Sequence, residues 1–283
     1  MFRPHSRKWL SVTLANLLAA CALVVACSDS ALPGGNTTTD GGSTQSPEDA
    51  GTTLVDGGGS DAPSLNEAGG PFGDILGTLS GSCGEVRAEL TNSAPSSKVD
   101  TLTFVAGETY DKSSLSPGGQ KLFDTPNAGG SSGESEVMSF EVLHYCEGAT
   151  LLKTETEVTY TGAQGSITDI LVEINGKKVG VSVTRAYKPA NQGPQTDAEI
   201  KSLLEKKLQG INESSARVTA ADKWVKQVLH VLASTQASVE AIQRVLPTIS
   251  AALRADTIVL VTKTVGGGFV YCNPDPPLGQ ECP

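Results

Sequence analysis

Hydrophobic and polar positions change their rhythm several times along this chain. A largely apolar run from Trp9 to Ala26, with Asn16 in its middle, comes first. Residues 28–72 then carry almost no large apolar side chain. Beyond them the pattern becomes that of a folded domain. Asp100-Thr101-Leu102-Thr103-Phe104-Val105 predicts a strand, and Gly118-Gly119 and Gly129-Gly130 predict turns. Ser131 and Glu134 stand at capping-box spacing ahead of Val137, Phe140, Val142 and Leu143, which predicts a short helix ending near Gly148. From Leu151 to Tyr160 the chain alternates, with Leu152, Thr154, Thr156, Val158 and Tyr160 on one side and Lys153, Glu155 and Glu157 on the other. That is the period of a half-buried strand. Ile167–Ile174 and Lys178–Ala186 follow, joined by Asn175-Gly176, the strongest short-range hairpin signal.

After Pro194 the period moves from two to 3.6. Thr196 and Glu199 form a capping box, and Ile200, Leu203, Leu204, Leu208 and Ile211 make one helical stripe. Trp224, Val228, Val231 and Leu232 predict a second helix starting at Thr219 or Asp222. Val239, Ile242, Val245, Ile249 and Leu253 predict a third, broken or kinked by Pro247. The β-branched run Thr257–Val261 reads as a buried strand. Gly266-Gly267-Gly268 then turns the chain into a last strand, Phe269–Cys272. The expected order is α-β-β-β-α-α-α-β-β, an α/β domain over residues 73–283 that is long enough to bury one core.

Residues 1–27 add a location. Arg3, Arg7 and Lys8 precede the apolar run, no acid interrupts it, and it closes on Val24-Val25-Ala26-Cys27. This is a secretory pattern, and the terminal cysteine makes it resemble a bacterial lipoprotein signal. The resemblance implies lipid on the cysteine thiol and anchoring in the bacterial cell envelope. Cys27 is followed at once by Ser28-Asp29-Ser30 and closes the apolar segment. Cys21, after Leu18-Ala19-Ala20, matches the residues before the cut but interrupts the run, so it is the alternative. Ser28 behind an acylated Cys27 implies the outer membrane or cell surface.

Charge and composition narrow the rest. The leader holds three of the 21 bases and none of the 31 acids, so the exported part is strongly acidic. Generic attraction to nucleic acid phosphates is therefore disfavoured. Residues 28–72, rich in Gly, Ser, Thr and Asp, cannot bury enough surface to offset ordering entropy and are expected to form a disordered tether. A coil of that length reaches roughly 35–40 Å from the anchor. Cys272 and Cys282 close a short Pro/Gly-rich loop, which leaves Cys83 for Cys146; buried free thiols are the alternative. A zinc site is disfavoured, because no two of these four cysteines have ligand spacing and the three histidines are scattered.

A helix, a three-stranded meander, helices and a buried strand, spanning residues 134–263, resemble the restriction-endonuclease-like core, here with helical and β-hairpin additions. The resemblance implies an Asp at the start of the second strand, and an acid and a Lys two residues apart on the third. Together they would hold Mg²⁺ or Mn²⁺. Asp169 falls on the first position. Ser182 and Thr184 fall on the other two, and neither supplies the hard anionic ligand or the cation. Glu141, Glu157 and Arg185 are the residues that would compensate in a relocated site.

Two function classes follow. One is a non-catalytic binding or interaction module, anchored to a membrane and without cofactor. The other is a divergent metal-dependent nuclease or phosphodiesterase built on Asp169. Segment 177–226, with ten bases against five acids, favours the second if its bases form a surface. The bland reading is a solvated helix face plus hairpin lysines. His230 reads as a packing histidine and Trp224 as core.

Overall fold

In the computed structural model, the residues described are 71–72, 76–105, 110–128 and 132–272. The leader, residues 28–70 of the expected tether, and Cys282 lie outside them. Eight strands form one sheet among these residues: β1 (Pro71–Phe72), β2 (Gly77–Gly81), β3 (Ser96–Phe104), β4 (Thr150–Thr154), β5 (Ile170–Ile174), β6 (Lys177–Ala186), β7 (Lys226–Ala233) and β8 (Ile258–Val265). Their order across the sheet is β1-β2-β3-β8-β7-β6-β5-β4. The four middle strands β3, β8, β7 and β6 run parallel. Antiparallel hairpins flank them on both edges. Pro71 and Phe72 pair with Thr78 and Gly77, so strand pairing begins two residues before position 73.

The helices are α1 (Val86–Glu89), α2 (Pro117–Asp124), α3 (Gly133–Glu147), α4 (Asp197–Arg217), α5 (Gln236–Val245) and α6 (Ala251–Arg254). One core joins α3 to Ile170, Val172, Val179, Val181, Val228 and Leu260. The other joins α4 and α5 to Leu229, Val231, Val259 and Val261. The middle strands are thus covered on both faces, as parallel sheets require.

Local chemistry explains most elements. Thr196 and Glu199 do form the capping box of α4, and Ile200, Leu204, Leu208 and Ile211 bury its stripe. At the β5–β6 turn Asn175 and Gly176 both take positive φ, 49° and 69°, the backbone of a tight two-residue hairpin. Helix α3 is buried nearly all round, so each buried polar side chain on it must find a partner. Glu134 accepts the Tyr110 hydroxyl at 2.6 Å. Ser139 bonds to His230, Glu141 accepts from Ser116, and Glu147 accepts the N–H groups of Gly84, Val86 and Arg87. Gly148 ends the helix in the left-handed region and its N–H returns to the His144 carbonyl. A disulfide joins Cys83 to Cys146, as expected by elimination; the other expected pair has one member outside the described residues.

Five expectations need correction. Gly118 and Gly119, expected as a turn, lie inside α2, which Ser116 caps and Pro117 opens. The segment expected as a second helix is β7, all eight of whose residues are buried. A strand covered on both faces is apolar at both parities, so its period of two vanishes and helical spacings arise by coincidence. The strand expected over 151–160 stops at Thr154. Glu157 there accepts the Thr154 N–H, and Tyr160 makes an isolated bridge to Val218 outside the sheet. Phe269–Cys272 is not a strand: Gly268–Tyr271 is a 3₁₀ turn that buries Phe269, Val270 and Tyr271. Lastly, Ser132 is the N-cap of α3, but its hydroxyl donates to Glu136 at 2.6 Å and caps no N–H; Ser131 lies outside the described residues. Pro247 breaks the last helical pattern as expected, giving a 3₁₀ turn over Leu246–Thr248.

Candidate functional site

Asp169 sits where β5 begins to separate from β6. Its N–H donates to the Val181 carbonyl, and its carboxylate accepts the Val183 N–H at 2.6 Å. The side chain therefore supplies the rung that a longer β5 would have supplied from its backbone. Burial raises its pKa to about 6. The Lys207 charge and the Val183 N–H oppose this, and Glu155 adds to it.

Three residues that the sequence pattern did not single out meet at this place. Glu136, on the first turns of α3, is buried, accepts from Ser132 and from Asn127 Nδ2 at 2.8 Å, and has its pKa raised to about 8. Burial is the main cause, and the charges of Asp169 and Glu155 reinforce it. Glu155, just past β4, accepts the Ala128 N–H. Lys207, from α4, donates to the Val183 carbonyl at 2.8 Å. Of these, Lys207 was the legible one: it lies on the apolar stripe, three residues beyond Leu204 and four before Ile211, where a charge needs a partner. Glu136 and Glu155 carry no such mark, because the chain around them is rich in acids.

The remaining candidates are dispersed. Ser182 and Thr184 are both buried on β6, sharing the alternate side with Gly180. Glu141 lies five residues beyond Glu136, on a different side of α3, and holds the Ser116 N–H and hydroxyl at the start of α2. Glu157 pairs with Lys121 at 2.7 Å near the surface, and that contact, more than the Thr154 N–H, lowers its pKa. Arg185 donates to the Val270 and Cys272 carbonyls. None of these three is directed at Asp169 by those contacts. Among the described residues, no three His, Cys, Asp or Glu side chains converge closely enough to hold a metal ion.

Most of the bases of 177–226 have partners within the chain. Arg217 donates to Ser166 and lies over the Tyr160 ring. Lys178, Lys223 and Lys226 donate to the carbonyls of Ala221, Ser215 and Asn92. Lys188 and Lys201 pair with Glu199 and Glu205. These contacts orient the side chains, and of the lysines named here only Lys188 and Lys201 are paired with acids. Trp224 is core: it packs with Val158, Leu171 and Val218, and a Cβ on Gly180 would stand 2.9 Å from its ring. His230 is fully buried between Ser139 and Thr262.

Together these features define a mixed α/β domain built on one sheet, with a carboxylate–lysine cluster at the mouth of the β5–β6 pair. No family model matches the chain. It is similar, at 42% identity over 164 residues, to the AAC-rich mRNA clone AAC4 protein of Dictyostelium discoideum; the match takes in 56% of this chain and 24% of that protein's length. Among solved structures it is similar to SfsA of Pyrococcus furiosus in complex with Ca²⁺, at 16% identity and a TM-score of 0.23, over 47% of this chain and 56% of that one. Among the described residues, no helix is long and apolar enough to cross a membrane.

Proposed function

We propose that this is an exported protein, lipid-anchored through Cys27, whose domain is a non-catalytic binding module on a degenerate restriction-endonuclease-like fold. The order α3-β4-β5-β6-α4-β7, with β7 parallel to β6, supports that core. The observation that carries the loss of chemistry is on β6. Ser182 and Thr184 occupy the positions where metal-dependent hydrolysis needs an acid and a lysine. Asp169, the retained position, commits an oxygen to the Val183 N–H. The net acidity of the chain supports the same reading, since a nuclease of this class must attract a polyanion.

One observation favours a second reading. Glu136, Glu155 and Lys207 come from three other elements to within electrostatic reach of Asp169, and a relocated phosphodiesterase site would draw these carboxylates closer around a metal ion. A single assay separates the two. The full chain is incubated with single- and double-stranded DNA and RNA in Mg²⁺ or Mn²⁺, beside Asp169→Ala and Glu136→Gln. No cleavage above the level of the variants supports the binding module. Cleavage lost in both variants establishes the relocated site and removes the first reading.

A further inference from the structure

A cleft of about 130 Å³ opens between the first residues of β3 and β8 and the connection from α5 to α6. Its walls are largely apolar and include Leu246, Pro247 and Val259; Arg254, Ser96 and Ser97 also line it. Ser97 and Val259 are register partners on the β3–β8 pair, and Val259 belongs to the core under α4 and α5. The cleft is thus distinct from the Asp169 cluster, which lies beyond β7 at β5 and β6.

Two polar features there have no internal explanation. The Ser96 hydroxyl oxygen is shut off from solvent and has no hydrogen-bond partner. An orphaned buried hydroxyl costs free energy and calls for an account. Arg254 uses only its Nε, which donates to the Ile249 carbonyl at 3.1 Å, leaving both Nη groups for something else. The backbone that places Arg254 is also unusual. Ala255 adopts φ 47° and ψ −125°, a conformation that L side chains rarely take. The Thr257 N–H closes the turn onto the Arg254 carbonyl at 3.0 Å. This tight turn fixes the root of the guanidinium at the first residues of β8.

We propose that this cleft binds a short-chain monocarboxylate. The carboxylate is held by the Arg254 Nη groups, and the alkyl body lies against Leu246, Pro247 and Val259. A guanidinium presents parallel N–H donors that match a carboxylate, and a few polar groups in apolar walls are the usual composition of a small-molecule site. Volume limits the occupant. A cavity of about 150 Å³ holds benzene, so a molecule of about six heavy atoms fits, and n-butyrate has that size. The inference does not depend on whether Asp169 is catalytic.

Saturation-transfer NMR of n-butyrate with the full chain tests it, with butan-1-ol and inorganic phosphate as parallel probes. Saturable butyrate binding is expected, at least tenfold tighter than either butan-1-ol or phosphate. Arg254→Gln should weaken it tenfold or more and Arg254→Lys less, with thermal unfolding of each variant unchanged within a few degrees. Three results overturn the proposal: no saturable butyrate signal, phosphate binding as tightly as butyrate, or full binding retained by Arg254→Gln. Should Arg254→Gln fail to fold, equal binding by the wild type and Arg254→Lys together with tight butan-1-ol binding refutes the carboxylate anchor.

Discussion

Ser139 and His230 are joined inside the core, the serine hydroxyl lying 2.6 Å from the histidine Nδ1, with Thr262 at 2.8 Å on Nε2. The ring ties α3 to β7 and β8 and is fully buried. Burial pushes its pKa down to about 3, against a smaller opposing hydrogen bond. Below about pH 6.5 the unfolded chain therefore binds a proton that the folded chain refuses. Stability should fall as pH drops from about 6.5 towards 3, by up to about 1.4 kcal/mol per pH unit from this group. Urea unfolding across that range should show the slope, and His230→Gln should flatten it while lowering stability at pH 7.

Asp100 works in the other direction. It is buried on β3 with one carboxylate oxygen unpartnered, and burial, reinforced by Glu147 and Glu85, raises its pKa to about 7. The folded state then holds the proton more tightly than the unfolded one. Its contribution is full below about pH 4 and is lost as pH rises towards 7. Asp100→Asn should raise the midpoint of thermal unfolding at pH 8 and leave it nearly unchanged at pH 4. A lower midpoint at pH 8 would mean that the ionised carboxylate is stabilising after all.

Asp169 and Glu136 should respond differently to neutralisation. Asp169→Ala removes the acceptor for the Val183 N–H and should cost about 1–3 kcal/mol, while Asp169→Asn keeps an oxygen there and should cost less. Glu136→Gln removes a carboxylate whose pKa is raised to about 8. Its destabilising effect on ionisation grows as pH climbs from about 4.5 to 8, so the variant should gain stability relative to wild type only on the alkaline side. Chemical denaturation at pH 5 and pH 9 compares them.

The Cys83–Cys146 link closes 63 residues of sequence. On the chain-entropy account a loop of this length contributes about 4 kcal/mol, and measured losses run about 2–5. The double change to alanine should lower the unfolding midpoint strongly, and hydrogen exchange should loosen first at α1, whose N-terminal N–H groups rest on Glu147.

Cell fractionation tests the anchor. Cys27→Ser should move the protein from membrane to soluble fractions, whereas release by Cys21→Ser instead would assign the lipid to the other cysteine.

Sequence pattern reached further into the fold than into the site. Asn175-Gly176 and Thr196-x-x-Glu199 were readable because a turn and a cap are made by side chains a few residues apart. Strand β7 was not, because Lys226–Ala233 is buried on both parities, and only its neighbours β6 and β8 decide that it is extended. Asp169 was found through its place before the hairpin. Its companions come from α3, from the end of β4 and from α4, and their meeting is a property of the sheet that no spacing encodes. Glu141 misled for the same reason: its displacement of five residues from Glu136 puts it on another side of α3, against Ser116.

The disulfide between Cys83 and Cys146 has a consequence for when this chain can fold. Thiol-reducing interiors do not sustain such a link, so in them the domain lacks one of its largest single constraints. Where thiols oxidise, the bond fastens α1 to the end of α3. The bond behaves as a latch set by its surroundings, leaving the polypeptide pliable in a reducing compartment and closed in an oxidising one.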